Sequence, residues 1–360
     1  MKILYVAKLS NSKLQEKLTP LLASSVVETI YVLRDTRGNA FDDRVIYLSP
    51  KKKHKGVLRH IFKIIAGVRF CKEYGIDVII GVLNTPHGYI GKCISFFTRR
   101  PYIHVTIAGA REFYLEGRLA EKLNCCLFKS SSAITVTGLQ TKRYLIGKDF
   151  KADKIFILPN VTDSIFMFLT NIPPLKDRAY DIVSISRIDK NKNFELLLKA
   201  IAYYKESYPL KTLIVGDGEE LENVKSLVSE LRINHLVEFY GYASGVEEKI
   251  NIYKQGKMFV STSKGEGFPV AMLEAMCCGC IPIVSNVGDV IDAIDNGVNG
   301  FFFNNLEDES ELMSCLHEYI NRSDKQQMSD EAKNIKLNYY PDLVTESWNN
   351  IFLKIKISND

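Results

Sequence analysis

The chain has 360 residues, of which 46% are hydrophobic and 25% are charged. This length suits two domains of ordinary size, and this composition is typical of a folded globular protein. The formal net charge of +5 is modest and does not indicate binding to nucleic acid. No apolar run approaches the length needed to span a bilayer, so we predict no transmembrane segment.

The eight cysteines do not show the paired spacing of a secreted, disulfide-linked protein. The N-terminal run MKILYVAKL predicts a strand and not a signal peptide. We therefore expect a reducing, cytoplasmic compartment. Cys277, Cys278 and Cys280 lie close together, but no nearby histidine completes a zinc ligand set. The sequence predicts buried free thiols there and no metal site.

The first half of the chain alternates short, β-rich apolar runs with amphipathic stretches. Strands are predicted from the runs KILYVA, TIYVLR, RVIYL, DVIIGV, YIHVTI, AITVT and IFIL. Helices are predicted over residues 13–23, 57–74, 87–97, 112–128 and 139–147. This alternation is typical of a parallel, doubly wound α/β sheet.

A second series of the same kind follows Pro173 and Pro174. Its predicted strands are DIVSIS, TLIVG, VEFYG, MFVS, IPIVS and GFFF, most of them followed by a helix pattern. The polar, proline-bearing segment 171–176 is the predicted linker. We therefore expect two Rossmann-like domains, 1–170 and 171–340, followed by an amphipathic helix within 341–360 that carries the single tryptophan.

One loop in the second half has the features of a ligand site. Gly265, Glu266 and Gly267 follow the predicted strand MFVS and precede a helix predicted to begin near Pro269. Glycines let a ligand approach the backbone closely, and a helix start attracts an anion through its free N–H groups and dipole. Glu274 lies on the same helix. This arrangement indicates a phosphate-bearing polar ligand.

Five segments, which follow one another along the chain in the family's order, resemble the retaining GT-B glycosyltransferases of family 4, the "group 1" transferases. The sequence EGFPVAMLE, residues 266–274, looks like the Glu-x7-Glu signature of that family. The other four segments are LPN with Asp163 and Phe166, then SRIDKNKNF (186–194), LIVGDG (213–218) and FYGY (239–242). The N-terminal half matches the family only loosely.

The resemblance implies a GT-B fold, with two doubly wound domains facing across a cleft and the C-terminal helix crossing back to the first domain. It implies a glycosyltransferase of the hexosyltransferase class that moves a sugar from a nucleoside diphosphate sugar to an acceptor hydroxyl, with retention of anomeric configuration. The partners would be that donor and a saccharide or lipid-linked saccharide acceptor, as in O-antigen or capsule biosynthesis. We expect no cofactor and no metal ion.

The resemblance also implies roles for individual residues. Arg187 and Lys192 would hold the diphosphate, Glu274 would bind the ribose, and Glu266 would lie beside the donor sugar. An arginine fork and a lysine charge at the ends of parallel strands suit a diphosphate leaving group without a metal ion. The further donor-binding residues expected are Gly216, Gly218, Gly241, Gly267, Phe268, Pro269 and Val270.

The acceptor side departs from the family pattern. The family places a His-Gly pair after a strand of the first domain, whereas this chain has Ala108 before Gly109. His87, which follows another predicted strand, is the alternative candidate to face the cleft together with Gly109. Whether a histidine acts in place of Ala108 stays open. His104 lies inside a predicted strand, and we expect it to be packed.

Residues 51–72 are rich in Lys and Arg and contain no acidic residue. They include the stretch GVLRHIFKIIAGVRF, which would be apolar on one helix face and basic on the other. One interpretation is a solvated loop and a packed helix. The other, which we favour, is contact with an anionic membrane surface.

Two alternatives to a transferase remain open. An inactive nucleotide-sugar-binding subunit would be expected to lack Glu266, Arg187 or Lys192, all of which are present. A nucleotide-sugar epimerase of related fold would need additional acids or a base in the cleft and no acceptor site.

Overall fold

The computed structural model describes residues 1–35, 38–39, 41–50, 55–114 and 117–357. The chain divides into two compact units, the first made of residues 1–159 and 341–360 and the second of residues 160–340. Each unit is built on its own parallel β-sheet.

The sheet of the first unit has the spatial order β3-β2-β1-β4-β5-β6-β7. Its strands are β1 (Lys2–Val6), β2 (Thr29–Leu33), β3 (Val45–Leu48), β4 (Val78–Val82), β5 (Tyr102–Val105), β6 (Ala133–Val136) and β7 (Ile155–Ile157). Its helices before the second unit are α1 (Asn11–Ala23), α2 (Gly56–Tyr74), α3 (Tyr89–Thr98), α4 (Arg111–Tyr114), α5 (Arg118–Lys129) and α6 (Leu139–Gly147). Every residue of β4 is buried, as expected for a central parallel strand covered on both faces.

The sheet of the second unit has the order β10-β9-β8-β11-β12-β13. Its strands are β8 (Tyr180–Ile185), β9 (Thr212–Val215), β10 (Val237–Gly241), β11 (Gly256–Ser261), β12 (Ile281–Ser285) and β13 (Phe301–Phe303). Its helices are α7 (Phe194–Tyr204), α8 (Leu221–Glu230), α9 (Val246–Tyr253), α10 (Val270–Cys277), α11 (Ser310–Asn321) and α12 (Lys325–Lys333). The predicted fold class, two parallel doubly wound α/β units, is confirmed.

The C-terminal helix α13 (Pro341–Ile357) belongs to the first unit. Trp348 and Ile351 are buried, and Thr345 Oγ1 donates a hydrogen bond to the carbonyl of Pro20 in α1, 3.2 Å away. The last helix therefore completes the core of the unit that the N-terminal segment begins. Across the described residues, the helices are too short or too polar to traverse a bilayer.

The boundary between the units differs from the predicted one. It lies between Pro159 and Asn160, not between residues 170 and 171. Phe166 is fully buried in the core of the second unit, and the Asn160 side chain donates to the Phe268 carbonyl at 3.0 Å. The segment predicted as a linker also packs into the second unit, where Leu175 is buried. Its prolines mark an irregular segment and not a domain boundary.

Two helix predictions in the first unit also need correction. The helix predicted over 112–128 is two helices, α4 and α5, and Gly117 precedes α5 with φ 97°. This backbone conformation is open to glycine and costly for other residues, so the helical pattern cannot run through it. The helix predicted from residue 87 begins at Tyr89, after a turn over Asn84–Gly88.

Candidate functional site

In the sheet of the second unit, the order in which successive strands are added reverses beside β8. Strand β8 lies between β9 and β11, so the connections that leave β8 and β11 run to opposite sides. Open α/β sheets bind ligands at such a point, outside the carboxyl ends of the strands. Arg187 and Lys192 follow β8, and Glu266 follows β11. The topology therefore brings these sequence-predicted residues to one place.

Backbone and side-chain hydrogen bonds join the two loops that carry these residues. The Lys264 N–H donates to the Asn191 carbonyl at 2.7 Å, and Asn191 Nδ2 donates to the Gly265 carbonyl at 2.9 Å. Thr262 Oγ1 donates to the Lys192 carbonyl at 2.9 Å. These bonds fix the position of Lys192 relative to Glu266.

Lys192 and Glu266 form an ion pair. The Lys192 ammonium group contacts Glu266 Oε1, and the two side chains are 19% and 21% exposed. Arg187 is different, because its side chain is 81% exposed and its Nη2 lies 2.9 Å from Asp189 Oδ2. An anion entering this site would meet an arginine at the surface and a lysine that already holds a carboxylate.

Glu274 lies on α10 and has two partners on α9. Lys249 Nζ lies 3.1 Å from Glu274 Oε1, and the Tyr253 hydroxyl donates to Oε2 at 3.0 Å. Burial, followed by the charge of Glu274, raises the pKa of Tyr253 well above its ordinary value, so the phenol remains a donor. A carboxylate whose side chain is 9% exposed needs such partners.

Sequence reasoning missed Lys249 and Tyr253. Their spacing of four residues puts them on one face of α9, which is a signal that they act together. The spacing does not indicate that this face of α9 packs against α10. Only the packing of the two helices identifies Glu274 as the group they hold.

Glycines shape the loop after β9 and, with it, the Arg187 loop. Gly216 has φ 145°, and a Cβ there would lie 1.8 Å from the Ser186 carbonyl oxygen. Gly218 has φ 159°, and a Cβ there would lie 2.2 Å from the Ile188 carbonyl oxygen. Any side chain at either position would displace the segment that carries Arg187.

The remaining predicted donor residues have mixed surroundings. Gly241 has φ 89° with open space beside it, and its carbonyl accepts from the Gly216 N–H at 2.7 Å. Gly267 accepts from the Asp289 N–H at 2.8 Å. The Phe268 side chain is buried and stacks on Tyr339, with ring centroids 5.1 Å apart. Only the backbone of Phe268 is left to meet a ligand.

The start of α10 differs slightly from the prediction. The first helical residue is Val270, and Pro269 is the residue that precedes it, with φ −76° and ψ 107°. Proline is suited to this place because its lack of an N–H removes no helical hydrogen bond. The N–H groups of the first helical turn follow directly after the Glu266 loop.

The acceptor-side candidates lie in the first unit. His87 is 6% exposed in the turn after β4, and burial, then the charge of Lys63, lowers its pKa to about 4. Gly109 is buried and has φ 64°. His104 is packed as predicted, with its ring stacked on Phe128 at 3.9 Å and its Nε2 2.8 Å from Asn84 Oδ1.

Glu112 is a residue of the first unit that sequence reasoning missed. Its Oε1 accepts hydrogen bonds from the N–H groups of Ile107 and Ala108, at 2.5 Å and 2.6 Å. Its Oε2 is buried and has no hydrogen-bond partner in the described part of the chain. Burial raises the pKa of Glu112 to about 7. This carboxyl group therefore holds the backbone in which Ala108 replaces the family histidine.

The basic run 51–72 is only partly as predicted. Lys51, Lys52 and Lys53 lie outside the described residues. Lys63 is not a surface charge, because its side chain is 1% exposed and pairs with Asp35. The lysine points to a carboxylate of the protein, so it adds nothing to a basic outer face.

The cysteines confirm the prediction of buried thiols. Cys277, Cys278 and Cys280 are free and buried. Burial raises the pKa of Cys277 and of Cys280 to about 12, so these thiols stay protonated. Among the described residues, His, Cys, Asp and Glu side chains form no group of three or more that could hold a metal ion.

The fold defines a class. Two Rossmann-like domains with parallel sheets are the architecture of GT-B glycosyltransferases. Residues 168–335, which lie within the second unit, match the model of the family described as "Glycosyl transferases group 1".

Individual relatives agree with this class. The chain is 29% identical over 240 residues to an uncharacterized glycosyltransferase of Haemophilus influenzae, and the matched segment covers 65% of each chain. It is 31% identical over 234 residues to the N-acetylgalactosamine-N,N'-diacetylbacillosaminyl-diphospho-undecaprenol 4-alpha-N-acetylgalactosaminyltransferase of Campylobacter jejuni, covering 61% of this chain and 60% of the relative. The matched segments thus span less than two thirds of either curated relative.

A solved structure matches nearly the whole chain. The crystal structure of Anabaena HepE in complex with UDP superimposes with a TM-score of 0.78 at 18% identity, covering 98% of this chain and 99% of that one. At this identity the likeness establishes the fold alone. The fold is thus that of GT-B glycosyltransferases, and the family match covers residues 168–335 of the second unit.

Proposed function

We propose that this protein transfers a sugar from a nucleoside diphosphate sugar to a hydroxyl group of a saccharide or lipid-linked saccharide, with retention of anomeric configuration and without a metal ion. The observation that carries the proposal is the arrangement at the switch point of the second sheet. Arg187 and the Lys192–Glu266 pair lie there on two joined loops, and α10 begins beside them.

The chemistry of each group suits this reaction. The leaving group is a nucleoside diphosphate, so negative charge grows on it as the bond to the sugar breaks. Arg187 and Lys192 are cations that stabilise such charge, and the N–H groups at the start of α10 add to them. When the diphosphate binds Lys192, the ion pair between Lys192 and Glu266 breaks. Glu266 is then free to interact with the sugar. Glu274, held by Lys249 and Tyr253, accepts hydrogen bonds from the ribose.

Two of the comparisons support the substrates. Solved structures of Anabaena HepE contain UDP and UDP-glucose, which are ligands of the proposed donor class. The Campylobacter relative is named for an acceptor linked to diphospho-undecaprenol. We infer a role in cell-surface polysaccharide synthesis, such as O-antigen or capsule, on the cytoplasmic side of a membrane. All eight cysteines are free, which is consistent with a reducing compartment.

The test is release of UDP from UDP-sugars in the presence of candidate acceptors. Arg187→Ala and Lys192→Ala should each lower turnover on the order of a hundredfold, as for loss of one electrostatic donor to a developing anion. Lys190→Ala is the matched control, because Lys190 lies in the same loop with a side chain that is 84% exposed. Turnover near the wild-type rate in both test variants would refute this site.

The same assay separates the two alternatives. An epimerase would change the sugar of the donor when no acceptor is added, which sugar analysis after a donor-only incubation detects. An inactive binding subunit would be stabilised by UDP in a thermal-shift experiment, because a ligand of the folded state raises stability. It would release no UDP from any UDP-sugar under any acceptor condition.

We also propose that the first unit contacts an anionic membrane. Apolar side chains on α2 and at the end of α3 are exposed, namely Val57, Leu58, Ile61, Ile65, Phe96 and Phe97. Basic residues with exposed side chains flank them, including Lys55, Lys72 and Arg99. Apolar area and positive charge together match a bilayer surface with anionic headgroups, where each nearby Lys or Arg contributes on the order of 1 kcal/mol.

Vesicle co-sedimentation tests the membrane proposal. The protein should bind anionic vesicles, and binding should weaken as salt screens the charges. Lys51/Lys52/Lys53/Lys55→Glu should weaken binding further. Equal binding to neutral and anionic vesicles, or binding to neither, would contradict the proposal.

A further inference from the structure

Helix α2 buries a lysine side chain and exposes several apolar ones. Lys63 is 1% exposed, whereas Ile61 is 46% exposed and Ile65 is 58% exposed. Burying a lysine is costly unless its charge is met, and exposing isoleucines forgoes their burial. At Lys63 the inward face of this helix therefore meets polar groups, whereas two turns later Cys71 belongs to the hydrophobic core.

Lys63 has an ion-pair partner, whereas two neighbouring side chains on the helix each leave one buried nitrogen unpaired among the described residues. Lys63 Nζ lies 2.9 Å from Asp35 Oδ2, just after β2. Arg59 and His60 lie one turn earlier on the same side of α2. Arg59 Nε and His60 Nδ1 are buried, and neither has a hydrogen-bond partner within the described residues. A buried guanidinium N–H without an acceptor is unfavourable, so an acceptor from outside the described residues would stabilise this side chain.

These groups gather at the switch point of the first sheet. Strand β1 lies between β2 and β4, so this is the place where an open α/β sheet binds ligands. Lys8 follows β1 and is exposed, and His87 lies in the turn that follows β4. After its burial, the groups that influence the pKa of His87 are Lys63, Asp35, His60 and Lys8. We call Lys8, Arg59, His60, Lys63 and His87 the α2 cationic cluster.

The charge of the cluster indicates the class of its ligand. Lys8, Arg59 and Lys63 are cations. Among the described residues, Asp35 is the carboxylate that interacts with Arg59 and Lys63. Burial and these cations lower the pKa of His60 and His87, so both imidazoles are neutral at pH 7. The excess of two positive charges matches a dianion. A phosphate offers that charge and several acceptor oxygens for N–H donors spread around it.

We propose that the α2 cationic cluster binds a phosphate group of the acceptor, so that the acceptor is a phosphate monoester or a diphosphate-linked saccharide. The proposal rests on the proposed function, because it takes the first unit to be the acceptor side. The phosphate completes the cluster by accepting from Arg59 Nε and by neutralising the cations around Lys63. The exposed apolar residues of α2 lie next to it on the same helix, which suits a lipid attached to that phosphate.

The experiment is an NMR titration of the histidine ring signals with inorganic pyrophosphate, at saturating UDP so that the donor site is occupied. A bound anion favours the imidazolium form, so the pKa of His87 should rise by about one unit or more. The signal of His104, which is fully buried in the same unit, and that of His235 in the second unit should not move.

Variants assign the effect to the cluster. Lys8→Ala and Arg59→Gln should each weaken pyrophosphate binding about tenfold, and both should fold because neither side chain is fully buried. Lys122→Ala, an exposed lysine on α5, is the matched control. An unchanged His87 pKa, or equal affinity in all three variants, would overturn the proposal. UDP binding and UDP release are measured in parallel, so failure of the donor site is seen separately.

A second arm identifies the source of the phosphate. Geranyl diphosphate carries the same headgroup on a short lipid. Binding at least tenfold tighter than pyrophosphate, lost in Ile61→Ser/Ile65→Ser, would indicate a lipid-linked acceptor. Equal affinity for the two probes would indicate a soluble phosphorylated saccharide. Binding of neither probe would overturn the proposal.

Discussion

Glu266 and Glu274 share one motif but have different surroundings, and this difference predicts different kinetics. Glu266 pairs with Lys192, which the diphosphate would bind under the proposed function, so the contact of Glu266 with the donor would change during the reaction. Glu274 is held in place by Lys249 and Tyr253, so the proposed contact with the ribose would be the same before and during the reaction. A contact made only in the transition state affects kcat, whereas a uniform contact affects KM.

We therefore expect Glu266→Gln to lower kcat on the order of a hundredfold with little change in the donor KM. Glu274→Gln should raise the donor KM about tenfold or more with kcat retained, since a charge-assisted hydrogen bond contributes about 1.5–3 kcal/mol. Steady-state kinetics with varied UDP-sugar measures both. The reverse pattern, with the kcat effect at Glu274 and the KM effect at Glu266, would contradict the proposed roles of the two glutamates.

Glu112 makes the stability of the first unit depend on pH. Its folded pKa of about 7 lies above the ordinary value of 4.5, so the folded state keeps a proton that the unfolded state loses first. The free energy of unfolding therefore falls as pH rises from about 4.5 to about 7. The fall is on the order of 3 kcal/mol, since each pKa unit corresponds to about 1.4 kcal/mol.

Glu112→Gln should remove this fall, because glutamine keeps an oxygen for the N–H groups of Ile107 and Ala108 but does not titrate. Urea unfolding at several pH values measures the difference between the two proteins. His87 and His104, whose pKa values are lowered to about 4 and about 3, act in the opposite direction and are common to both proteins. A wild-type and variant difference that stays constant with pH would contradict the prediction.

At the residue scale, the sequence predicts the site residues that belong to a motif. It misses the residues that only packing brings to the site. Lys192 and Glu266 could be chosen from their motifs, and the structure joins them in one ion pair. Lys249 and Tyr253 belong to no motif, and their part depends on α9 meeting α10. Glu112 looks like an ordinary helix residue, because nothing in its neighbours along the chain indicates that its carboxyl group is buried.

At the scale of elements, apolar strands were the most predictable features and glycines the least. The parallel strands are buried on both faces and read as continuous apolar runs, as in IPIVS and VIIGV. The helix predicted over 112–128 fails because a single glycine interrupts it with a positive φ. Glycine in a loop and glycine in a helix look alike in a sequence, and only the backbone conformation separates them.

The loop after β9 gives a test at this scale. Gly218→Ala should lower stability by more than about 1 kcal/mol and weaken UDP binding, because a Cβ there meets the Ile188 carbonyl oxygen. Gly245→Ala is the control, since Gly245 has an ordinary φ and nothing within 4 Å of a Cβ. Urea unfolding and calorimetric titration with UDP measure both effects. Equal behaviour of the two variants would mean that the loop tolerates a side chain.

At the scale of the whole molecule, the first unit is made of two segments that are far apart in the sequence. Residues 1–159 and 341–360 share one core, and this cannot be read from local patterns. The sequence does predict an amphipathic helix at the C-terminus. The contacts of α13 with the end of α1, such as Ser24 Oγ donating to Asn349 Oδ1 at 2.6 Å, decide the unit to which that helix belongs.

Trp348 tests whether α13 is part of that core. Its side chain is 2% exposed and stacks on Phe352, with ring centroids 5.6 Å apart. Trp348→Ala removes a large buried side chain and should cost about 3–5 kcal/mol of stability, by lost burial and the cavity left behind. Leu353→Ala on the same helix is the control, because Leu353 is 59% exposed and a surface change costs about 0.5 kcal/mol or less. Circular dichroism during urea unfolding measures both. If the two variants unfold at the same urea concentration, α13 is peripheral and the first unit is complete without it.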